Sequence, residues 1–363
     1  MGRKVMLVLV ALAMVLAACG DDDAATTTAG GSTTTAGGST TTAATTTTAA
    51  ELTEVTLIVP NPSAVNWYNV CVANGQGFFA EEGLKVTVEA LDGSGAVLQA
   101  MAAGQALFGA PGPVPLLAAA ERGEQFVGIF NHYATTVFGL VVEEGSGFTT
   151  AADLKDKVVG VGTAEGAEVG WARGILLEAG LVEGTDYEFL PVGDGGQATA
   201  AFERGEIVAY AAGVPDIGIM EARGLVLKDI TPDNYKLFYG NMYGVQASTI
   251  AEQPELVQAF VNALVKGSAF GQDPANFDAV LADCAVQNPE EGSEPDLAAA
   301  ILRVVLVHTT PLGGVDYGYY DMAGWEFIQQ VALAGGSIAA AQDLNAIFTN
   351  QFVEAAYAAG LGG

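Results

Sequence analysis

The chain has 363 residues, with 42 acidic against 13 basic side chains and a formal net charge of −29 at pH 7. Such an excess of negative charge excludes nucleic acid and anionic membrane surfaces as electrostatic partners. Two histidines and three cysteines leave little material for histidine-ligated metal sites or a disulfide-rich scaffold.

The first elements are not part of a folded domain. Arg3 and Lys4 precede an apolar run from Val5 to Leu16. That run is shorter than the roughly 20 residues a membrane-spanning helix needs, and small residues close it, as in an export signal over 1–18. Leu16-Ala17-Ala18-Cys19 resembles a bacterial lipobox, which implies a diacylated Cys19 as the mature N-terminus and an extracytoplasmic, membrane-anchored protein. Residues 24–50 contain only Ala, Thr, Gly and Ser, and TTTAGGS repeats in tandem at 26–32 and 33–39. With no apolar seam, 19–50 reads as a flexible tether with a reach of roughly 30 Å.

From Glu51 onward strands and helices alternate. Strands are expected at Val55–Val59, Val86–Leu91, Leu107–Ala110 and Val127–Phe130, and helices at Trp67–Ala80, Ala96–Ala103 and Pro113–Arg122. A second, similar series follows. Its strands are Val158–Val161, Tyr187–Val192, Val208–Ala212 and Leu225–Lys228, and its helices are Glu165–Ala179, Gln197–Arg204 and Asp216–Arg223. Thr149 and Thr150 read as caps with Asp153 early in a short helix. Beyond Tyr239 the pattern is helical: Pro254–Phe270, Phe277–Cys284, Asp296–Val307, Tyr319–Ala334 and Leu344–Ala359.

Strands separated by helices predict an α/β protein with mostly parallel sheets. Two such series, one inserted in the other, predict a bilobal clamp. Lobe one takes 51–143 and 241–363, with the C-terminal helices packed on it, and lobe two takes 144–240. Ligands of open α/β sheets sit beyond the carboxyl ends of the strands. The loops at 61–67, 92–95, 110–113, 131–133, 162–166, 192–196 and 213–216 therefore surround one crevice.

The turn VVGVGTAEGAEVG (158–170) suggests a dinucleotide site. Its glycines run G-x-G-x-x-x-G, one residue longer than the G-x-G-x-x-G fingerprint, and it lies mid-chain in an exported protein. What remains is a strand-to-helix turn able to bring backbone N–H groups to a small ligand. No cofactor is expected.

The segments GFFAEEGLKVTV, GSGAVLQAMAAGQALFG, FTTAADLKDKVVGV, LLEAGL and ATAAFERGEIVAYAAGVPD stand in the order and spacing of a known family. Together they resemble extracytoplasmic solute-binding proteins of ABC importers for sulfonates, nitrate, taurine and thiamine precursors. Residues 321–356 are similar to the end of the thiamine-pyrimidine-precursor branch. The resemblance spans roughly 53–356. It departs at Leu107 and Val208, where the family often has Asp.

The resemblance implies a type II periplasmic-binding clamp, monomeric, that carries a small solute to a permease and its ATPase. It implies cleft residues Asn61, Asn66, Trp67, Ser94, Gly95, Pro111 and Gly112 from the first loops. His132, Tyr133, Gly162, Thr163, Glu165, Asp194, Asp216 and Tyr243 complete the set. Trp67 and Tyr133 are expected to sandwich a planar ring. Two carboxylates, Glu165 and Asp194, with no Arg or Lys among these candidates, suit an aminopyrimidine, another nitrogen heterocycle or an amine. An aliphatic sulfonate, taurine or nitrate is the alternative. An enzyme on the same fold would need a nucleophile and base, and His132 with Asp194 is the one pairing in view. A sensory module is the third class. Cys71 and Cys284 are candidates for a disulfide in an oxidising compartment, with free buried thiols the alternative.

Overall fold

A computed structural model describes residues 51–362, Glu165 excepted. The export signal, Cys19 and the linker lie outside the described residues, as does Glu165. The strands are β1 (Thr53–Val59), β2 (Leu84–Ala90), β3 (Phe108–Gly109), β4 (Phe126–Phe130), β5 (Phe138–Glu143), β6 (Lys157–Val161), β7 (Tyr187–Pro191), β8 (Ala209–Gly213), β9 (Leu227–Asp229) and β10 (Tyr243–Gln246). Helices between the strands are α1 (Tyr68–Gly75), α2 (Phe78–Glu81), α3 (Gly93–Ala102), α4 (Pro113–Glu121), α5 (Ala167–Glu178), α6 (Gly195–Glu203) and α7 (Val214–Ala222). The C-terminal helices are α8 (Ala247–Glu252), α9 (Pro254–Gln272), α10 (Phe277–Gln287), α11 (Pro289–Gly292), α12 (Pro295–Thr309), α13 (Met322–Ala334) and α14 (Gln351–Ala358).

Two five-stranded sheets result, ordered β2-β1-β3-β10-β4 and β7-β6-β8-β5-β9. In each, the outer and central strands run one way and a single strand opposes them: β10 in the first, β5 in the second. The opposing strand is the one whose chain has just crossed from the other sheet. Arriving from the neighbouring lobe without a crossover helix, it enters antiparallel. The strand β5 corrects the expected boundary. Residues 138–143, placed with lobe one by the sequence, pair with β8 and β9 in the second sheet, so the first crossing lies between Phe130 and Phe138. The second lies between Asp229 and Tyr243.

Local chemistry sets the element ends. The expected helix Trp67–Ala80 is broken. Val65–Trp67 form a 3-10 turn, α1 follows, and Gly77 at φ 82° reverses the chain into α2. Only glycine takes that conformation without penalty. The Asp153 carboxylate accepts the amides of Thr149 (2.8 Å) and Thr150 (2.9 Å), capping the short turn Ala151–Leu154 as expected.

The C-terminal helices do more than cover lobe one. Helix α9 packs against α1, where bare Gly267 meets the Asn69 backbone. Helix α12, however, touches both the Val65–Trp67 turn and α7, with Ile301 Cγ1 3.6 Å from where a Cβ on Gly218 would stand. Helix α13 touches α4 and α5, and Val331 fills the space that a side chain at Gly174 would need. One apolar cluster therefore runs from Met101, Leu116 and Leu117 through Trp325 and Ile328 to Trp171, Ile175 and Leu140. The helical region spans both lobes.

The proposed disulfide is corrected. Cys71 and Cys284 are both free and buried. The Cys71 thiol donates to the Ala64 carbonyl at 3.1 Å, and burial raises the Cys284 thiol well above its usual range. An apolar surrounding that disfavours thiolate keeps the Cys284 sulfur protonated.

Candidate functional site

On lobe one the expected cleft loops gather at the carboxyl edge of the sheet and tie one another down. Asn61, half-buried after β1, accepts the Ser63 amide at 3.2 Å. Ser94, buried in the first turn of α3, accepts the Gly112 amide at 2.9 Å, with half-buried Gly95 beside it. The Pro111 carbonyl accepts from the Met242 amide at 3.1 Å, and Asn241 Nδ2 donates to the Ala110 carbonyl at 3.0 Å. Asn241 was not singled out by sequence reasoning, yet it locks the β3–α4 turn to the returning chain.

Below this rim lies a buried floor of Asn66, Trp67, His132, Tyr133 and Tyr243. Trp67 stacks on His132 (centroids 5.2 Å, interplanar 28°) and meets Tyr133 edge-on (6.5 Å, 81°). The expected Trp67–Tyr133 sandwich is therefore corrected: perpendicular rings cannot enclose a planar one. Tyr133 is held in that orientation because its hydroxyl donates to Asn66 Oδ1. Tyr243 donates to Asn69 Oδ1 at 2.7 Å. Two buried polar atoms here, Trp67 Nε1 and Asn131 Oδ1, have no partner among the described residues.

His132 faces the Asn66 carbonyl at 2.8 Å, an acceptor, so its Nε2 carries the proton. Burial lowers its pKa to about 4, and the ring is neutral at physiological pH. The pairing of His132 with Asp194 is also corrected. The imidazole is engaged within lobe one, and Asp194 is exposed at the head of α6. No nucleophile–base pair forms there. Among the described residues no group of three His, Cys, Asp or Glu is placed to hold a metal ion.

The lobe-two side is built on carboxylates. Asp216 Oδ1 accepts the Gly195 amide at 2.8 Å, and Oδ2 accepts the Gly213 amide at 3.2 Å and the Tyr210 hydroxyl at 3.4 Å. It thus staples the heads of α6 and α7. Burial pushes its pKa up to about 6 against the pull of those two amides. Gly162 is half-buried and Thr163 exposed, and the Thr163 amide donates to Glu168 at 3.1 Å. Burial also raises the Glu168 carboxyl. Glu168 escaped sequence reasoning, although acidic residues favour the first turn of a helix. So did Arg223, whose guanidinium lies 3.0 Å from where a Cβ on Gly196 would stand, in the first turn of α6.

The two rims touch. A Cβ on Gly112 would stand 2.8 Å from Ala167 Cβ, and one on Gly93 would stand 3.8 Å from Thr163 Oγ1. Loops of both sheets' carboxyl edges therefore converge, as the topology requires. A separate surface cavity of about 410 Å³, lined by Ala222, Glu294, Asp296 and Leu297, opens along the α7–α12 seam instead.

Residues 64–275, more than half of the chain, match the family model described as NMT1/THI5 like. The riboflavin-binding protein RibY of Chloroflexus aurantiacus is 25% identical over 314 residues, covering 83% of this chain and 86% of its own. Among solved structures, the alkanesulfonate-binding protein SsuA from Xanthomonas axonopodis pv. citri, bound to MOPS, has a TM-score of 0.64 at 17% identity, over 83% of this chain and 100% of its own. The periplasmic nitrate-binding protein NrtA from Synechocystis PCC 6803 has a TM-score of 0.66 at 14% identity, over 85% and 89%. The desulfurization enzyme DSZB shares the fold as well, at TM-score 0.57 and 16% identity over 85% and 99%.

Proposed function

The chain belongs to the NMT1/THI5-like family, and from that premise we propose that it is the solute-binding component of an ABC importer. It closes on a small nutrient between two lobes and delivers it to a permease and its ATPase. The observation that carries this reading is the convergence of both sheets' carboxyl edges, over an aromatic floor, with Gly112 against Ala167. A clamp needs such opposed rims; a catalyst needs an activated nucleophile as well, and neutral, engaged His132 supplies none.

The solute is a planar nitrogen heterocycle bearing N–H donors, of pyrimidine or flavin type. The acidic lobe-two side supports this, as does the printed ligand of RibY. A second reading, an anion such as a sulfonate or nitrate, draws on Arg223 at the head of α6. A thermal-shift screen with riboflavin, aminopyrimidines, taurine, alkanesulfonates and nitrate decides between them. A heterocycle is expected to raise the melting temperature in proportion to RT ln(1 + [L]/Kd). A shift with sulfonates alone would favour the anion reading, and silence across all classes would count against solute binding.

The protein is held at the extracytoplasmic membrane face by lipid on Cys19, motivated by Leu16-Ala17-Ala18-Cys19 and the tether after it. In a bacterium that processes lipoproteins, Cys19→Ala should move the protein from membrane to soluble fractions. Unchanged membrane retention of a correctly cleaved variant would refute the anchor.

A further inference from the structure

Helix α5 has twelve residues and begins at Ala167, directly after the glycine turn that follows β6. Free amides and the positive end of the helix dipole at such a terminus make an anion site. Here the chain supplies the anion. Glu168, in the first turn, folds back so that Oε1 accepts the Thr163 amide at 3.1 Å, and the amides of Gly162 and of Glu168 itself also act on the carboxylate. The turn is shaped around it. A Cβ on Gly166 would sit on the carboxylate, and one on Gly162 would stand 3.2 Å from Oε1. Among the described residues no Lys or Arg forms an ion pair with Glu168.

We propose that Glu168 is a tethered anion that fills the amide nest at the head of α5 and so bars the anionic group of a solute from that terminus. This makes Glu168 a specificity-determining residue, and it rests on the reading that this rim receives the solute. An incoming sulfonate or nitrate needs the same amides. It must displace a carboxylate held at high effective concentration by its own backbone, and it meets like charge as it approaches. A neutral or N–H-bearing solute meets no such opposition and finds a carboxylate able to accept from it.

The test titrates sulfate, nitrate and methanesulfonate into wild type and Glu168→Ala, against chloride at matched ionic strength, following the Thr163 amide resonance. The variant is expected to bind these anions at least about tenfold more tightly than wild type, the equivalent of one charge-assisted hydrogen bond. Equal affinities, or no binding in either protein while the circular dichroism is unchanged, would overturn the proposal. Should Glu168→Ala not fold, Glu168→Gln keeps the side chain's shape without its charge and is read the same way, with a smaller gain. The titration needs no cognate solute, so a failed heterocycle screen leaves its outcome readable. A screen that succeeds does not rescue it.

Discussion

Trp325→Ala is expected to destabilise the protein by about 3–5 kcal/mol, lowering Tm by roughly 6–15 °C. Trp325 is fully buried and lies parallel to Phe348 (5.5 Å, 2°), with Tyr320 tilted against it at 6.0 Å. Truncation removes the indole's transfer free energy and leaves a cavity walled by rigid neighbours, which cannot collapse to fill it. Because the surrounding cluster runs through α4, α13 and α5, the loss should reach both lobes in one transition. Denaturant unfolding followed by far-ultraviolet circular dichroism measures it. A loss below about 1 kcal/mol would show that α13 is not the shared element. Trp325→Phe should recover most of the loss.

The second expected result concerns pH. Asp216 carries a folded pKa of about 6 against an unfolded value of 3.8, raised by burial first. The folded state therefore binds this proton more tightly than the unfolded chain does. The stability it contributes is present below about pH 4, falls as pH rises through 6, and is gone above that. A two-unit shift sets a ceiling of about 3 kcal/mol, and the water that reaches this half-buried residue reduces it to about 1–2. Glu168 acts in the same direction, whereas Asp153 and Asp186, lowered by backbone amides, act in the opposite one. The measurement is thus a difference: unfolding free energy of wild type minus Asp216→Asn from pH 4 to 7. A difference that stays constant across that range would refute the assignment.

The alternation of apolar strands with helices was legible, and so was the C-terminal-edge geometry, because topology alone brings those loops together. Asp153 capping was legible because a cap is a contact within four residues. What sequence reasoning missed depends on partners far along the chain. Residues 138–143 form an apolar run without alternation, and only pairing with β8 and β9 reveals their lobe. The angle between Trp67 and Tyr133 follows from a hydrogen bond to Asn66 that spacing does not encode. Among Glu168, Asp194 and Asp216, the spacing does not tell which carboxylate turns inward. Backbone amides settle it, and they chose Glu168 and Asp216.

Helix α13 and Phe348 follow all ten strands in chain order, yet they fill the space between the two sheets' helices. A chain emerging from the ribosome has therefore made both sheets before the piece that seals them exists. Until then Leu116, Leu117, Trp171 and Ile175 present an apolar flank to whatever surrounds the nascent chain. Such a flank is a site for chaperones and a hazard for aggregation.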